Sequence, residues 1–486
     1  MPSVRLILSE ALLCFYLLLV YFLAMSETRG IFLPGSLGAG TLRLAANIAV
    51  ISFSGAAGMA AFAFGFRRLS EPQRRRAPVF ALCAAAVGWL LLECFPGSAA
   101  LLCLGTFLAL AGWGFLMAFV LYRVATETPG THFGRFIGVS HGLAAVLDFA
   151  VGAADAYFPA LPFARVLALP CLGTLAFLLP RNDVSPTDCA PPSAWQSFFP
   201  KSRAYLVAGV ALLALLQGLC DSVTLVHFSE YAPSFPASRL FYAAGLLAFG
   251  WLADRKFSVM PAVVLIVSTY FMWFRAFHEE AAVFLPLSQL VETIHAAPII
   301  VLVMAGSLHI AARSDRPERW AVMSRLVELP LMSVGLALGI WLWPLLSLPA
   351  VFAAYTTLLL VGVALLYRAG LAYTRALTEE AAAQAKREQP ENAAYSTEKF
   401  EAYCRQYGFT EQESIVLFEL LKGTQVKSIA ETLFVTERTA RFHISNLLRK
   451  TGTKTQLELV SHFYRSPHTV MENQPSVPPC TAADAK

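Results

Sequence analysis

The chain has 486 residues, 57% of them hydrophobic and 14% charged, with a net charge of +5. A soluble domain carries roughly 25% charged and about 45–50% apolar residues, so an ordinary soluble protein is excluded. The small net charge does not by itself indicate nucleic acid; its distribution is more informative, because nearly all the apolar runs precede Tyr373.

The first apolar run, from Val4 to Ala24, is long for a signal peptide and is followed by many like it. It therefore reads as a first membrane helix. A spanning helix needs about 20 mostly apolar residues. Candidate spans fall near 4–24, 43–66, 77–95, 99–122, 136–156, 161–180, 204–227, 237–253, 258–277, 282–311, 320–343 and 348–367. Basic residues crowd alternate loops: Arg67, Arg68, Arg74, Arg75 and Arg76, then Arg123 and Arg135, then Arg181, Lys201 and Arg203, then Arg255 and Lys256, then Arg313, Arg316 and Arg319. By the positive-inside rule these loops face the cytoplasm. An even number of spans then places both termini in the cytoplasm, with the chain in the cytoplasmic membrane. The cysteines form no Cys-x-x-Cys pair and read as small packing residues, not as a disulfide framework or a metal site.

A loop from Arg181 to Arg203, with Pro186, Pro191, Pro192 and Pro200, divides the spans six and six. Two six-span halves around a cavity are a common transporter layout. After the eighth span comes Gly250-Trp-Leu-Ala-Asp254-Arg255-Lys256, whereas the corresponding place after the second span reads Gly65-Phe-Arg67-Arg68 and lacks the Asp. Span count, central loop and this segment together resemble the major facilitator family. A charge within the bilayer costs roughly 2.5–3.5 kcal/mol on insertion scales, so charged residues inside spans are candidates for function. Glu292 and His295 stand three apart on the tenth span, and Arg325 and Glu328 three apart on the eleventh, which places each pair on one helix face. These four form a candidate polar site for a small-molecule ligand or a proton; structural ion pairs are the alternative. His141 and Asp148 share a face of the fifth span. No catalytic constellation, phosphate loop or cofactor motif is present, so neither an enzyme nor a cofactor protein is expected.

From Ala369 to Ala394 the sequence becomes rich in Ala, Glu and Gln, which reads as a solvated helical linker ending near Pro390. A series of short helices follows. Thr410 and Glu413 have the spacing of a capping box, with Ile415, Leu417, Phe418, Leu420 and Leu421 as an apolar side and Gly423 as a stop. A second helix covers about Val426 to Leu433, burying Ile429, Ala430 and Leu433, and Phe434-Val435 makes a turn. Thr436 is a suitable N-cap for a third helix from Glu437 to Thr451, which Gly452 ends. A fourth covers about Thr455 to Tyr464. On the third helix Ala440, His443, Ile444, Leu447 and Leu448 recur at inward spacing, while Arg438, Arg441, Phe442, Ser445 and Arg449 face the other way. Two helices, a tight turn and a basic face suit the major groove of double-stranded DNA.

This stretch resembles the LuxR/NarL-type DNA-binding domain, through Thr410, Glu413, Gly423, Lys427, Ile429-Ala430, Leu433, Thr436, Thr439, Arg441, His443, Asn446-Leu447-Leu448, Lys450, Gly452 and Glu458. The resemblance implies base reading around Arg441, Phe442 and Ser445. It implies phosphate contacts from Lys427, Thr436, Arg449 and Lys450, and a homodimer on DNA through the fourth helix. Glu411 stands where Pro is common, and Ser445 where some relatives carry Lys, so no target sequence carries over.

The expected architecture is all-α. A polytopic membrane bundle of about twelve spans, six and six, occupies 1–368, and a linker occupies 369–394. A four-helix LuxR-type helix-turn-helix domain occupies 395–466 and a disordered tail 467–486. The partners expected are double-stranded DNA, membrane lipid and a small-molecule ligand. Two functions stay open: a membrane-bound transcription regulator, or a secondary transporter with a regulatory DNA-binding tail.

Overall fold

The computed structural model describes residues 3–27, 39–157, 163–179, 193–227, 238–278, 285–342, 345–346, 348–433 and 435–465. Seventeen α-helices and no strand occur among them. The first six are α1 (Val4–Glu27), α2 (Ala39–Gly65), α3 (Glu71–Cys94), α4 (Ala99–Glu127), α5 (Phe133–Tyr157) and α6 (Phe163–Leu178). The next seven are α7 (Ser193–His227), α8 (Ser238–Lys256), α9 (Met260–His278), α10 (Leu285–Ala311), α11 (Pro317–Trp320), α12 (Met323–Leu342) and α13 (Leu348–Tyr407). The short helices are α14 (Glu411–Leu421), α15 (Val426–Thr432), α16 (Glu437–Thr451) and α17 (Gln456–Arg465). Phe434, most of the proline-rich central loop and the tail from 466 lie outside the described residues.

Nine stretches among the described residues, from Val4–Tyr21 to Ala353–Glu380, are long and apolar enough to cross a membrane. The chain divides into two compact units, Met1–Glu380 and Ala381–Lys486. In the first, α2 packs on α4 and α12, α3 on α4, α7 on α12, and α5 on α8. Small residues permit these close approaches. A side chain at Gly218 would run into the Met332 carbonyl and one at Gly335 into that of Leu215, so α7 and α12 meet backbone to backbone. The antiparallel α5–α8 seam works the same way, with Gly134 against Gly250 and Gly138 against Leu246. Large side chains such as Trp89, Trp113, Tyr16 and Phe62 fill the rest of the bundle. Trp113 donates its indole N–H to the Leu13 carbonyl (2.8 Å), which satisfies the one polar atom it buries.

The linker differs from expectation. Its first part is packed: Ala369, Tyr373 and Ala376 recur at helical spacing and are buried in the first unit. Tyr373 Oη lies 3.1 Å from His309 Nδ1, and Arg313 donates to it at 3.1 Å. Arg313 also pairs with Glu380 (3.6 Å), so α13 is clasped by the end of α10. The helix does not end at Pro390 but continues to Tyr407. Strong helix formers on both sides outweigh a local proline cost of about 3 kcal/mol.

Candidate functional site: a basic recognition helix and a buried polar seam

The second unit is built around the buried side chains of Tyr403, Val416, Leu417, Leu420, Ile429, Ile444, Leu447, Leu459 and Phe463. Three of the four short helices, α14, α16 and α17, start at a side-chain cap. Glu413 N–H donates to Thr410 Oγ1 (3.3 Å) and Thr410 N–H donates to Glu413 Oε2 (2.9 Å), closing the capping box of α14. Thr436 Oγ1 accepts from the Thr439 N–H (3.3 Å) and caps α16. Gly452 ends α16 with φ +73°, a conformation only glycine adopts freely, and the Thr453 N–H returns to the Leu448 carbonyl (3.0 Å). Thr455 caps α17 by accepting from the Glu458 N–H (3.1 Å).

The inward face of α16 is Ala440, Ile444 and Leu447; His443 and Leu448 are half-buried at its margins. Arg438, Arg441, Phe442, Ser445 and Arg449 are all exposed, as are Lys427 and Thr436; Thr439 is half-buried beside its cap. The outward side chains are weakly held. Arg441 reaches Glu437 at 3.4 Å, and Arg449 reaches Asn446 at 3.3 Å. Exposed pairs of this kind contribute roughly 0–1 kcal/mol, so both guanidiniums can turn to another acceptor at little cost.

Lys450 is placed differently from the other basic residues. Its ammonium donates to Glu413 Oε2 (2.6 Å) and to the Gly408 carbonyl (2.8 Å), tying α16 to the start of α14. Burial alone would raise the Glu413 pKa. Hydrogen bonds from Lys450 and Thr410 outweigh it and hold the carboxyl below its ordinary value of 4.5. Lys450 is thus a structural pin in this unit.

Two further details of the core were not evident from spacing. Val416, not Ile415 or Phe418, fills the inner side of α14; Ile415 and Phe418 are 39% and 48% exposed. Phe418 instead meets Phe400 edge-on (5.6 Å) and lies under the Lys422 ammonium (4.0 Å). The end of α13 also joins the unit as an additional helix. Tyr403 Oη bonds His462 Nδ1 (2.8 Å), and the Tyr403 ring meets Phe463 edge-on at 5.1 Å. Leu457 and Tyr464 of α17 remain 81% and 62% exposed.

In the first unit the polar residues converge on the α5–α8 seam and on α12. Asp254 of α8 accepts the Gly134 and Arg135 N–H groups (2.6 and 3.1 Å) at the start of α5 and pairs with the Arg135 guanidinium (3.1 Å). The Asp of the Gly250–Lys256 segment is therefore a helix cap across the seam. Further along α5, Arg325 of α12 donates to His141 Nε2 (3.1 Å) and pairs with Glu328 Oε1 (3.1 Å). Further still, Asp148 pairs with Arg239 of α8 (2.8 Å). Glu10 of α1, fully buried, lies near His141.

The four residues expected to form one ligand site are only partly brought together. Arg325 and Glu328 pair, and His141 joins them, whereas His295 is stacked on Phe271 of α9 at 4.5 Å. The Glu292 side chain is outside the described residues. Sequence reasoning missed Glu10, which lies within the first span with no charged neighbour at helical spacing.

Comparison with known proteins agrees with this division. Residues 408–463 match bacterial regulatory proteins of the luxR family. No curated protein sequence is significantly similar to the chain. Among solved structures, the chain is similar to the human organic anion transporter MFSD10 (TETRAN). Identity is 15% and the TM-score 0.52, over 75% of this chain and all of that one. It is also similar to FucP, a major facilitator superfamily transporter in the outward conformation, at 13% identity and TM-score 0.48, over 76% of this chain and 97% of that one. The chain thus fuses a membrane unit of the major facilitator fold to a LuxR-type helix-turn-helix domain.

Proposed function

We propose that the chain is a membrane-bound transcription regulator, a binding protein and not an enzyme, that remains in the cytoplasmic membrane while it reads DNA. The observation that carries this reading is the exposed basic face of α16, capped at both ends, in a chain whose described residues also hold nine membrane-competent stretches. Arg441, Phe442 and Ser445 read base edges, with Arg438 and Thr439 beside them; Lys427, Thr436 and Arg449 contact phosphates. The exposed Leu457 and Tyr464 on α17 support pairing of two copies on paired half-sites. Basic loops at alternate span ends support a topology with both termini in the cytoplasm, where DNA is available.

Input arrives at the polar seam. Glu10, His141, Arg325 and Glu328 come from three helices, α1, α5 and α12, so a ligand bound among them would distinguish two arrangements of those helices. His295 and Glu292 are secondary candidates on α10. The clasp of Tyr373 and Glu380 onto His309 and Arg313 gives α13 a direct stake in the position of α10.

A second reading is an active secondary transporter that regulates its own supply. The fold likeness to a human organic anion transporter favours it, together with the half-buried Arg325. The test uses the full-length protein in lipid nanodiscs. It should retain discrete genomic DNA fragments in a selection experiment, with an affinity that falls as salt rises. The Arg438→Ala/Arg441→Ala variant should retain none. Equal, sequence-independent retention by both proteins would reject the regulator, and vesicle flux that depends on Arg325 would then support transport.

A further inference from the structure

Glu10 and Cys14 stand one helical turn apart on α1 and face His141 of α5. One donor atom from each lies within 4.8 Å of the other two. Glu10 is completely buried, and neither of its carboxylate oxygens has a hydrogen-bond partner among the described residues. A carboxylate in that setting costs several kcal/mol unless a proton or a cation joins it. Arg325 is the nearby cation, but it is committed to Glu328 and His141. When both carboxyls are ionised they share one guanidinium, so a divalent cation in place of the Glu10 proton would restore the charge balance.

The donors limit which cation would fit. A carboxylate oxygen, a thiolate sulfur and an imidazole nitrogen are wrong for Ca²⁺ or Mg²⁺, which take six or more oxygens. They suit borderline divalent metals, Zn²⁺ above all. The charge also balances: a divalent ion with one carboxylate and one thiolate is neutral, and the Arg325–Glu328 pair beside it is neutral too. Binding releases the Cys14 thiol proton to solvent, together with the Glu10 proton when the carboxyl is neutral.

The surrounding groups are arranged for the exchange. Arg325 donates to His141 Nε2, so that nitrogen carries a lone pair, while Nδ1 faces Ser140 Oγ at 3.3 Å and has a partner that fixes the tautomer. A metal at Nε2 would displace the guanidinium. Glu328 Oε2 has no hydrogen-bond partner among the described residues and lies on the residue Arg325 already holds through Oε1. It can accept the freed N–H. Tetrahedral donors at Zn²⁺ bond lengths stand about 3.5 Å apart, so side-chain rotation of about 1 Å closes the set. We propose that Glu10, Cys14 and His141 form a three-donor site for a Zn²⁺-class metal ion, with a fourth position open to water or a small ligand. That this ion is the sensed signal rests on the regulator reading above; its binding does not.

The experiment is a Co²⁺ titration of the metal-free full-length protein in nanodiscs. The expected result is one equivalent bound, with a thiolate-to-cobalt charge-transfer band that Zn²⁺ abolishes. Cys14→Ser should lose the band, and Glu10→Gln and His141→Gln should weaken binding by at least about tenfold. Cys83→Ser, an exposed cysteine on α3, should change nothing. Native protein supplies a readout free of folding concerns: Zn²⁺ should slow alkylation of Cys14 without slowing that of the exposed Cys83 or Cys94. A native protein with no thiolate band, or a band that survives Cys14→Ser, overturns the site. Retention of specific DNA by that same preparation would leave the regulator reading intact. Tight metal binding with no specific DNA retention would do the reverse.

Discussion

The recognition helix and the membrane seam both concentrate charge, and they handle it in opposite ways. On α16 Arg441 and Arg449 are exposed and held by contacts of 3.3–3.4 Å to their own helix. Water already solvates them, so meeting a phosphate or a guanine requires little reorganisation. In the seam the carboxylates are buried, their contacts are 2.6–3.1 Å, and Asp148 and Asp254 take partners from across the α5–α8 seam while Glu328 takes Arg325 of its own helix. Removing one member there leaves another stranded in an apolar bundle. The reader is thus tuned to exchange partners, whereas the seam keeps its partners fixed until something of matching charge arrives.

That contrast makes graded predictions. The largest effect should come from Arg325→Met, which strands Glu328 and Glu10. We expect a loss of about 3–5 kcal/mol in the membrane unit, seen as a lower unfolding temperature in detergent, with Arg325→Met/Glu328→Met recovering most of it. Native-like stability of the single variant would show that the seam charges are solvated after all. Lys450→Met is the one basic substitution on α16 that should behave like a seam variant. It leaves Glu413 unpaired and should cost about 1–3 kcal/mol of reader stability, measured as earlier local exchange of amide hydrogens in α14 and α16. Arg441→Ala should do the opposite: stability unchanged, specific DNA affinity lower by about 1–3 kcal/mol in fluorescence anisotropy with the full-length protein.

Smaller effects sharpen the same boundary. Thr436→Ala removes a cap and should cost about 1 kcal/mol, read from the same hydrogen exchange. Acid should act on the pinned carboxyl. The folded Glu413 has a pKa below 4.5, so its contribution is fully present above 4.5 and is lost as pH falls through the lower folded value. Glu413→Gln should make the reader less stable at neutral pH and flatten that acid-side slope. An unchanged slope in the variant would assign acid lability to other groups.

What was legible in the sequence follows from which signals are local. The bounds of α16 from Glu437 to Thr451 were readable because Thr436 and Gly452 mark both ends within the chain itself. Apolar runs located nine of the twelve expected spans among the described residues for the same reason. Partnerships across helices were not readable. His295 shares a helix face with Glu292, yet the structure sets it on Phe271 of another helix. Glu10 has no charged neighbour at helical spacing, and His141 completes its surroundings from α5. Lys450 looks like any basic residue of a recognition helix until Glu413, far away in sequence, turns out to lie 2.6 Å from it. The packed start of the linker was hidden because Ala369, Tyr373 and Ala376 form too thin a stripe to stand out in an alanine-rich run.

The central claim is that a protein still embedded in the membrane occupies specific DNA. Genome-wide DNA crosslinking of the intact tagged protein tests it most directly, with the Arg438→Ala/Arg441→Ala protein as control and membrane fractionation of the same cells. The account predicts discrete peaks from full-length, membrane-associated protein that vanish in the control. No peaks across varied growth conditions, or equal peaks in the control, would contradict it.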